Sequence, residues 1–173
     1  MKMKRLSALI IAVTLCLMWG FFPVTALAQK KNNSTIVDVP QDFKIIAISG
    51  GIAPGSPHYK IEIDSEGNGI YWEIPEDNTT GTFIEKNRFT VEGAALRFLY
   101  SVINNGDFFT LKEEYMAKNV LDGSYAKLTI TADKKTHTVR TRNQAVKAFD
   151  DIMLAVNVVT PPDNKIVYNE ILK

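Results

Sequence analysis

His58-Tyr59-Lys60-Ile61-Glu62-Ile63-Asp64 alternates without a break: Tyr59, Ile61 and Ile63 fall on one side, Lys60 and Glu62 on the other. A period of two puts successive side chains on opposite faces, so this stretch reads as a strand with one dry face and one wet face. Ser65-Glu66-Gly67-Asn68-Gly69 follows as a turn, where glycine permits positive φ. Residues 70–74 then return as the second arm of a hairpin. A hairpin with one solvated face belongs to an antiparallel sheet. Upstream, residues 43–49 are rich in Ile and read as a strand, separated from His58 by Gly50-Gly51-Ile52-Ala53-Pro54-Gly55-Ser56-Pro57.

Downstream, residues 75–81 read as a loop and residues 82–85 as a candidate short edge strand. Thr90 is placed to cap a helix, with Glu92 in the first turn where the helix dipole favours negative charge. Leu96, Leu99, Val102 and Ile103 recur at helical spacing, beside Ala95 and Phe98, and Gly106 is the stop. Phe108, Phe109 and Leu111 form an apolar patch expected beneath the sheet, and residues 115–121 read as a loop. Residues 125–131 alternate, Asp133-Lys134-Lys135 turns the chain, and residues 136–142 return. Asn143 is a candidate cap for a second helix carrying Val146, Phe149, Ile152, Met153 and Val156, which Pro161-Pro162 ends. The order β-β-β-α-β-β-α predicts an α+β domain, with a mostly antiparallel sheet and two helices packed on one face.

The first segment reads as an address. Lys2, Lys4 and Arg5 precede an uncharged apolar run over residues 6–24, and Ala26-Leu27-Ala28 offers small residues where a signal peptidase reads. An uncleaved anchor is the competing reading, since the run has the length of a membrane span. Pro23 and the Ala-x-Ala site favour cleavage near Ala28. The expected division is a secretory signal peptide at 1–28, a polar spacer at 29–41, one domain at 42–160 and a tail at 161–173.

The 173-residue chain has 20 Lys plus Arg against 19 Asp plus Glu, and a single cysteine, Cys16, inside the apolar run. Cleavage leaves 17 positive and 19 negative residues and no cysteine. That balance provides no field for nucleic acid or acidic membranes. The absence of disulfides in an exported chain fits a bacterial envelope, secreted or periplasmic, with no stable membrane insertion after cleavage.

No catalytic or metal constellation emerges, and no cofactor is expected. His58 and His137 are far apart on separate strands and lack a His-Glu-x-x-His pattern. A site joining them to Asp64 or Asp122 has no metal spacing behind it, and two half-exposed strand residues is the plainer reading. Gly-x-Ser-x-Gly is absent, and Ser56 two residues before His58 makes no triad. Asp150 and Asp151 diverge by about 100° on a helix, which suits a solvated face better than paired carboxylates. The glycines at 50, 51 and 55 precede a strand rather than a helix, which argues against a phosphate loop. Tyr71 and Trp72 could stack a base or sugar, but a lone aromatic pair is more often core or sheet face. The loop itself is the candidate binding element, with Gly51, Ile52, Pro54 and Ser56 as its site residues.

Two resemblances bear on this loop. Ile48-Ser49-Gly50-Gly51-Ile52-Ala53, then a strand, a helix, Asp107-Phe108-Phe109-x-Leu111 and a His-Thr-Val strand, resemble the emfourin-type inhibitors of thermolysin-like metalloproteases. Those proteins begin Ser-Gly-Gly-Phe-Ala, and Ile52 stands here in place of the Phe. The resemblance spans about residues 44–156 and implies a protein partner, a metalloprotease. Ser56-Pro57-His58-Tyr59-x-Ile61-x-Ile63, with Gly69-x-Tyr71, Phe108-Phe109-x-Leu111, Tyr115 and Asp122-Gly123, is similar to a family of exported bacterial domains of unknown function. That family carries a Cys-Pro-x-Tyr segment, and Ser56 stands in the cysteine's place. The expected function is an exported, non-catalytic binding domain, sharpest as an inhibitor of a secreted metalloprotease. The alternative is an envelope-associated structural or interaction domain.

Overall fold

Backbone pairing begins from the alternating stretch. The computed structural model describes residues 37–76, 80–118 and 123–166. Its strands are β1 (Lys44–Gly51), β2 (His58–Asp64), β3 (Asn68–Ile74), β4 (Ile84–Thr90), β5 (Glu114–Met116), β6 (Ser124–Ala132) and β7 (Lys135–Arg142). Its helices are α1 (Gly93–Asn105) and α2 (Lys147–Val159), with short 3₁₀ turns at Phe108–Thr110 and Pro162–Asn164. The seven strands form one sheet in the order β4-β3-β2-β1-β6-β7-β5. All neighbours are antiparallel except β5 and β7, which run parallel. The fold is therefore mixed α and β on a mostly antiparallel sheet.

Register turns local alternation into a core. Tyr71, Ile61, Ala47, Leu128 and Val139 stand opposite one another across β3, β2, β1, β6 and β7. All five are buried, as are Leu96, Leu99, Tyr100 and Ile103 of α1 and Phe149, Ile152, Met153, Ala155 and Val156 of α2. Strand and helix residues belong to one hydrophobic cluster, which Phe43 and Phe108 also enter. Fully burying such a side chain stabilises by roughly 1.5–3 kcal/mol. Phe109 and Leu111 pack against this cluster only in part, whereas Phe98 of α1 points outward. No helix among the described residues is long and apolar enough to cross a membrane.

Several expectations need correction. The short edge strand expected at 82–85 is a full strand that starts at Ile84 and pairs with β3 as far as Thr90, so four strands, not three, precede α1. β4 is exposed along almost its whole length, so its sequence carries no burial alternation. Thr90 closes that strand and does not cap α1, whose N-cap is Glu92 without a side-chain bond. Between them Val91 is buried, and its N–H donates to the Gly67 carbonyl at 2.8 Å. Tyr115 and Met116, expected in a loop over residues 115–121, join Glu114 in β5, with Tyr115 beside Thr141. Asn143 does not cap α2, whose N-cap is Val146; Asp150 accepts from the Val146 N–H at 3.0 Å. Asn143 instead takes a left-handed φ of 51° and accepts from the Ser124 N–H at 2.8 Å. The helix ends meet expectation: Gly106 caps α1, and α2 stops at Val159, just before Pro161-Pro162. The segment 1–28, residues 29–36 of the spacer, Asp122 and residues 167–173 of the tail lie outside the described residues.

Candidate functional site

The loop between β1 and β2 is built on a tight turn. Pro54 fixes φ at its second position, and Gly55 supplies a φ of 78° at its third. The Ser56 N–H closes the turn on the Ala53 carbonyl at 3.1 Å. This is the type II pattern, where a residue with a Cβ would be strained at the third position.

Three contacts tie the turn to the sheet. The Ile52 N–H donates to the Gly123 carbonyl at 2.9 Å, linking the loop to the residue that leads into β6. A Cβ on Gly51 would lie 2.5 Å from Ser56 Oγ and 2.6 Å from Ser56 Cβ. A Cβ on Gly50 would stand 2.6 Å from Nδ1 of His58. Gly51 thus admits the Ser56 side chain of the loop, and Gly50 the His58 ring of β2. Asn143 braces the same corner through Ser124, whose carbonyl accepts from the Asn143 N–H at 3.2 Å.

The sequence-predicted site residues fall as follows. Gly51 ends β1 and packs on Ser56; Ile52 is half-buried and tethered; Pro54 stands exposed at the tip with Ala53 and Gly55. Ser56, His58, Ile74, Pro75 and Glu76 line an open recess at the loop's flank. Gly123 and Asn143, which hold the loop, were not read from the sequence as parts of the site. An Asp-Gly pair far from the loop carries no local sign that its carbonyl will serve Ile52.

The remaining candidates separate. His58 lies on the face of the sheet away from the core, whereas His137 shares the core face with its neighbour Ile130. β1 and β6 stand between their strands. The His137 Nε2 meets the Leu111 carbonyl at 2.9 Å, and its ring lies edge-on to Phe108. Asp64, at the far end of β2 from His58, accepts the N–H groups of Glu66 and Asn68 at 3.0 and 2.9 Å. Among the described residues no three His, Cys, Asp or Glu side chains gather as a metal site. Asp150 bonds the Val146 N–H while Asp151 pairs with Lys147 at 2.7 Å. Tyr71 and Trp72 take opposite faces. The Tyr71 hydroxyl donates to Glu73 at 2.8 Å; burial, then that carboxylate, pushes its pKa well above the ordinary value.

The outer face carries charge. Lys60 Nζ lies 2.9 Å from Glu62 and 4.2 Å above the Trp72 ring, and Lys44 reaches Glu62 at 3.0 Å. Burial pushes the Glu62 carboxyl up, but the bonds and charges of Lys60 and Lys44 outweigh it and leave its pKa lowered. Arg140 meets Glu114 at 3.1 Å. Burial raises the Tyr125 hydroxyl, with Arg140 opposing.

No curated protein matches the chain. The model of a domain of unknown function, DUF6438, matches residues 53–159. The match begins inside the loop, so Pro54 and Ser56 fall within it and Gly51 and Ile52 before it. It ends with the last residue of α2. With well over half of its residues covered by that match, the chain belongs to the DUF6438 family.

Proposed function

We propose that the protein is an exported, non-catalytic binding domain that presents the loop of residues 51–57 to a protein partner, with inhibition of a secreted metalloprotease as the sharpest form of that role. The observation that carries the reading is a fixed loop with a bare tip. Ala53, Pro54 and Gly55 are exposed, while Ile52 and Ser56 on either side are bonded and packed. A backbone held in its bound shape loses little entropy on entering a cleft, so affinity rises without added contact area. In this reading both helices cover one face of the sheet, which the single core cluster supports. They leave the loop end open. The signal-like segment supports export to the bacterial envelope or medium, and the proposed role needs neither a cofactor nor nucleic acid.

The test is a progress curve of a thermolysin-type protease with and without micromolar full-length protein. Saturable slowing, weakened by Pro54→Ala and Ile52→Ala, is expected. Unchanged turnover at every concentration removes the inhibitor form. Export is tested separately by sequencing the N-terminus of protein recovered from a bacterial periplasm, with Gln29 expected first. Membership of a family of unknown function favours one second reading, an envelope-associated structural or interaction domain. Retention with the envelope fraction, without protease inhibition, is its expected signature.

A further inference from the structure

The helices and buried strand residues account for one face of the sheet. On the other face, register assembles a row that no stretch of sequence displays. Trp72, Lys60, Ile48, Lys127 and Arg140 stand opposite one another across β3, β2, β1, β6 and β7. In the next row toward the loop, His58, Gly50, Tyr125 and Arg142 are aligned in the same way. Neighbouring strands lie about 4.8 Å apart, so these side chains share one continuous surface. Ile48, Tyr125, Lys127 and Arg142 are all half-buried, with apolar bodies between charged heads.

The charge on this surface is lopsided. Lys60 is met by Glu62, and Arg140 by Glu114. Lys127 and Arg142 have no carboxylate within ion-pair distance among the described residues. Lys127 also stands directly opposite Arg140, and facing like charges on paired strands are unfavourable. The surface is equally short of acceptors: the buried Trp72 Nε1, a donor only, has no partner among the described residues. Since the whole chain is nearly neutral, this is a local concentration and not a general basic field.

From this we infer that the loop end of the open sheet face docks an acidic protein segment, whose carboxylates meet Lys127 and Arg142 while its apolar side chains lie on Ile48 and Tyr125. An extended peptide with alternating acidic and apolar residues has the required chemistry. The two cations of this face without a carboxylate partner among the described residues are too few to hold a polyanion by counterion release, which sets nucleic acid aside. The inference uses no residue of the 51–57 loop and stands or falls independently of protease inhibition.

The test is fluorescence anisotropy of a labelled Glu-Val-Glu-Val-Glu-Val-Glu peptide titrated with the full chain at low salt. Saturable binding is expected, weakening at least about tenfold when ionic strength brings the Debye length to about 8 Å. Lys127→Glu with Arg142→Glu should cut affinity by at least about tenfold, and the milder Lys127→Gln with Arg142→Gln by about threefold or more. Lys134→Glu with Lys135→Glu makes the same charge change at the far end of the β6–β7 hairpin and should change affinity less than about twofold. Circular dichroism confirms the fold of each variant. The inference is overturned by absence of saturation, by equal losses in the two reversal pairs, or by full binding in the glutamine pair. Displacement of the peptide by phosphatidylserine vesicles or a DNA oligonucleotide at lower concentration than unlabelled peptide also overturns it.

Discussion

Ser56 occupies the space that a side chain at residue 51 would need: a Cβ on Gly51 would lie 2.5 Å from Ser56 Oγ. The last residue of one strand is therefore bare because the loop folds back onto it. The closeness of these two residues makes the loop a packed corner and not a slack connection.

Gly51→Ala should destabilise the protein by about 1–3 kcal/mol, the usual cost of forcing atoms into a filled site. Adding Ser56→Gly should recover most of that loss, because it empties the contested volume. Urea unfolding of the two single variants and the double variant checks this. Equal stability of Gly51→Ala and the parent would show that the corner yields freely.

At the tip, Gly55→Ala should cost about 1–2 kcal/mol, since its φ of 78° crowds a Cβ against the backbone. Pro54→Ala should cost less, about 0.4–1 kcal/mol, by loosening the unfolded chain. Thermal unfolding would rank them in that order. The reverse ranking would mean that the turn does not hold its type II shape in solution.

In the core, Phe108→Ala should cost about 3–5 kcal/mol, because the ring is fully buried against His137 and the surrounding cluster. Phe98→Ala should stay within about 0.5 kcal/mol, because that ring is 45% exposed on α1. A large loss at Phe98 would indicate that the outer side of α1 is covered in solution.

Acid should weaken the fold partly through Glu62. Its folded pKa is lowered below the unfolded value, so the folded state binds the proton less readily. The stabilisation is fully present above the ordinary carboxylate pKa of about 4.3 and is lost as pH falls through the lowered value. Lys60→Met should flatten this part of the stability profile and leave the profile above about pH 6 parallel to the parent's. A parallel profile throughout the acid limb would assign the effect to other carboxylates.

Asn143→Ala should cost about 1–3 kcal/mol, combining the lost acceptor for the Ser124 N–H with a φ of 51° that alanine tolerates poorly. Asn143→Gly restores the backbone freedom but not the bond, and should fall between the two. Hydrogen exchange at Ser124 reads the bond directly and should accelerate in both variants.

Much of this architecture was legible because alternation and helical spacing are local properties. Residues 58–64 declare which side is dry, and Leu96, Leu99 and Ile103 declare the buried stripe of α1 without reference to any partner. The Gly-Pro loop was legible for the same reason, since glycine and proline act on their own φ. β4 was legible only as a short edge strand over residues 82–85 and β5 not at all, because exposed edge strands form on a neighbour's backbone hydrogen bonds and need no apolar pattern of their own. Thr90 and Asn143 misled as caps because a capping residue type becomes a cap only where the backbone already turns into a helix.

The sequence by itself thus determined the alternating strands, the two amphipathic helices and the turn at Pro54-Gly55. Only the tertiary structure decided that β1 lies between β2 and β6, that Ile52 is tethered to Gly123, and that Lys60, Lys127 and Arg140 fall into one row. The physical reason is register. Each strand carries its own two-sided pattern, but which residues become neighbours depends on how distant segments align when the shared core closes.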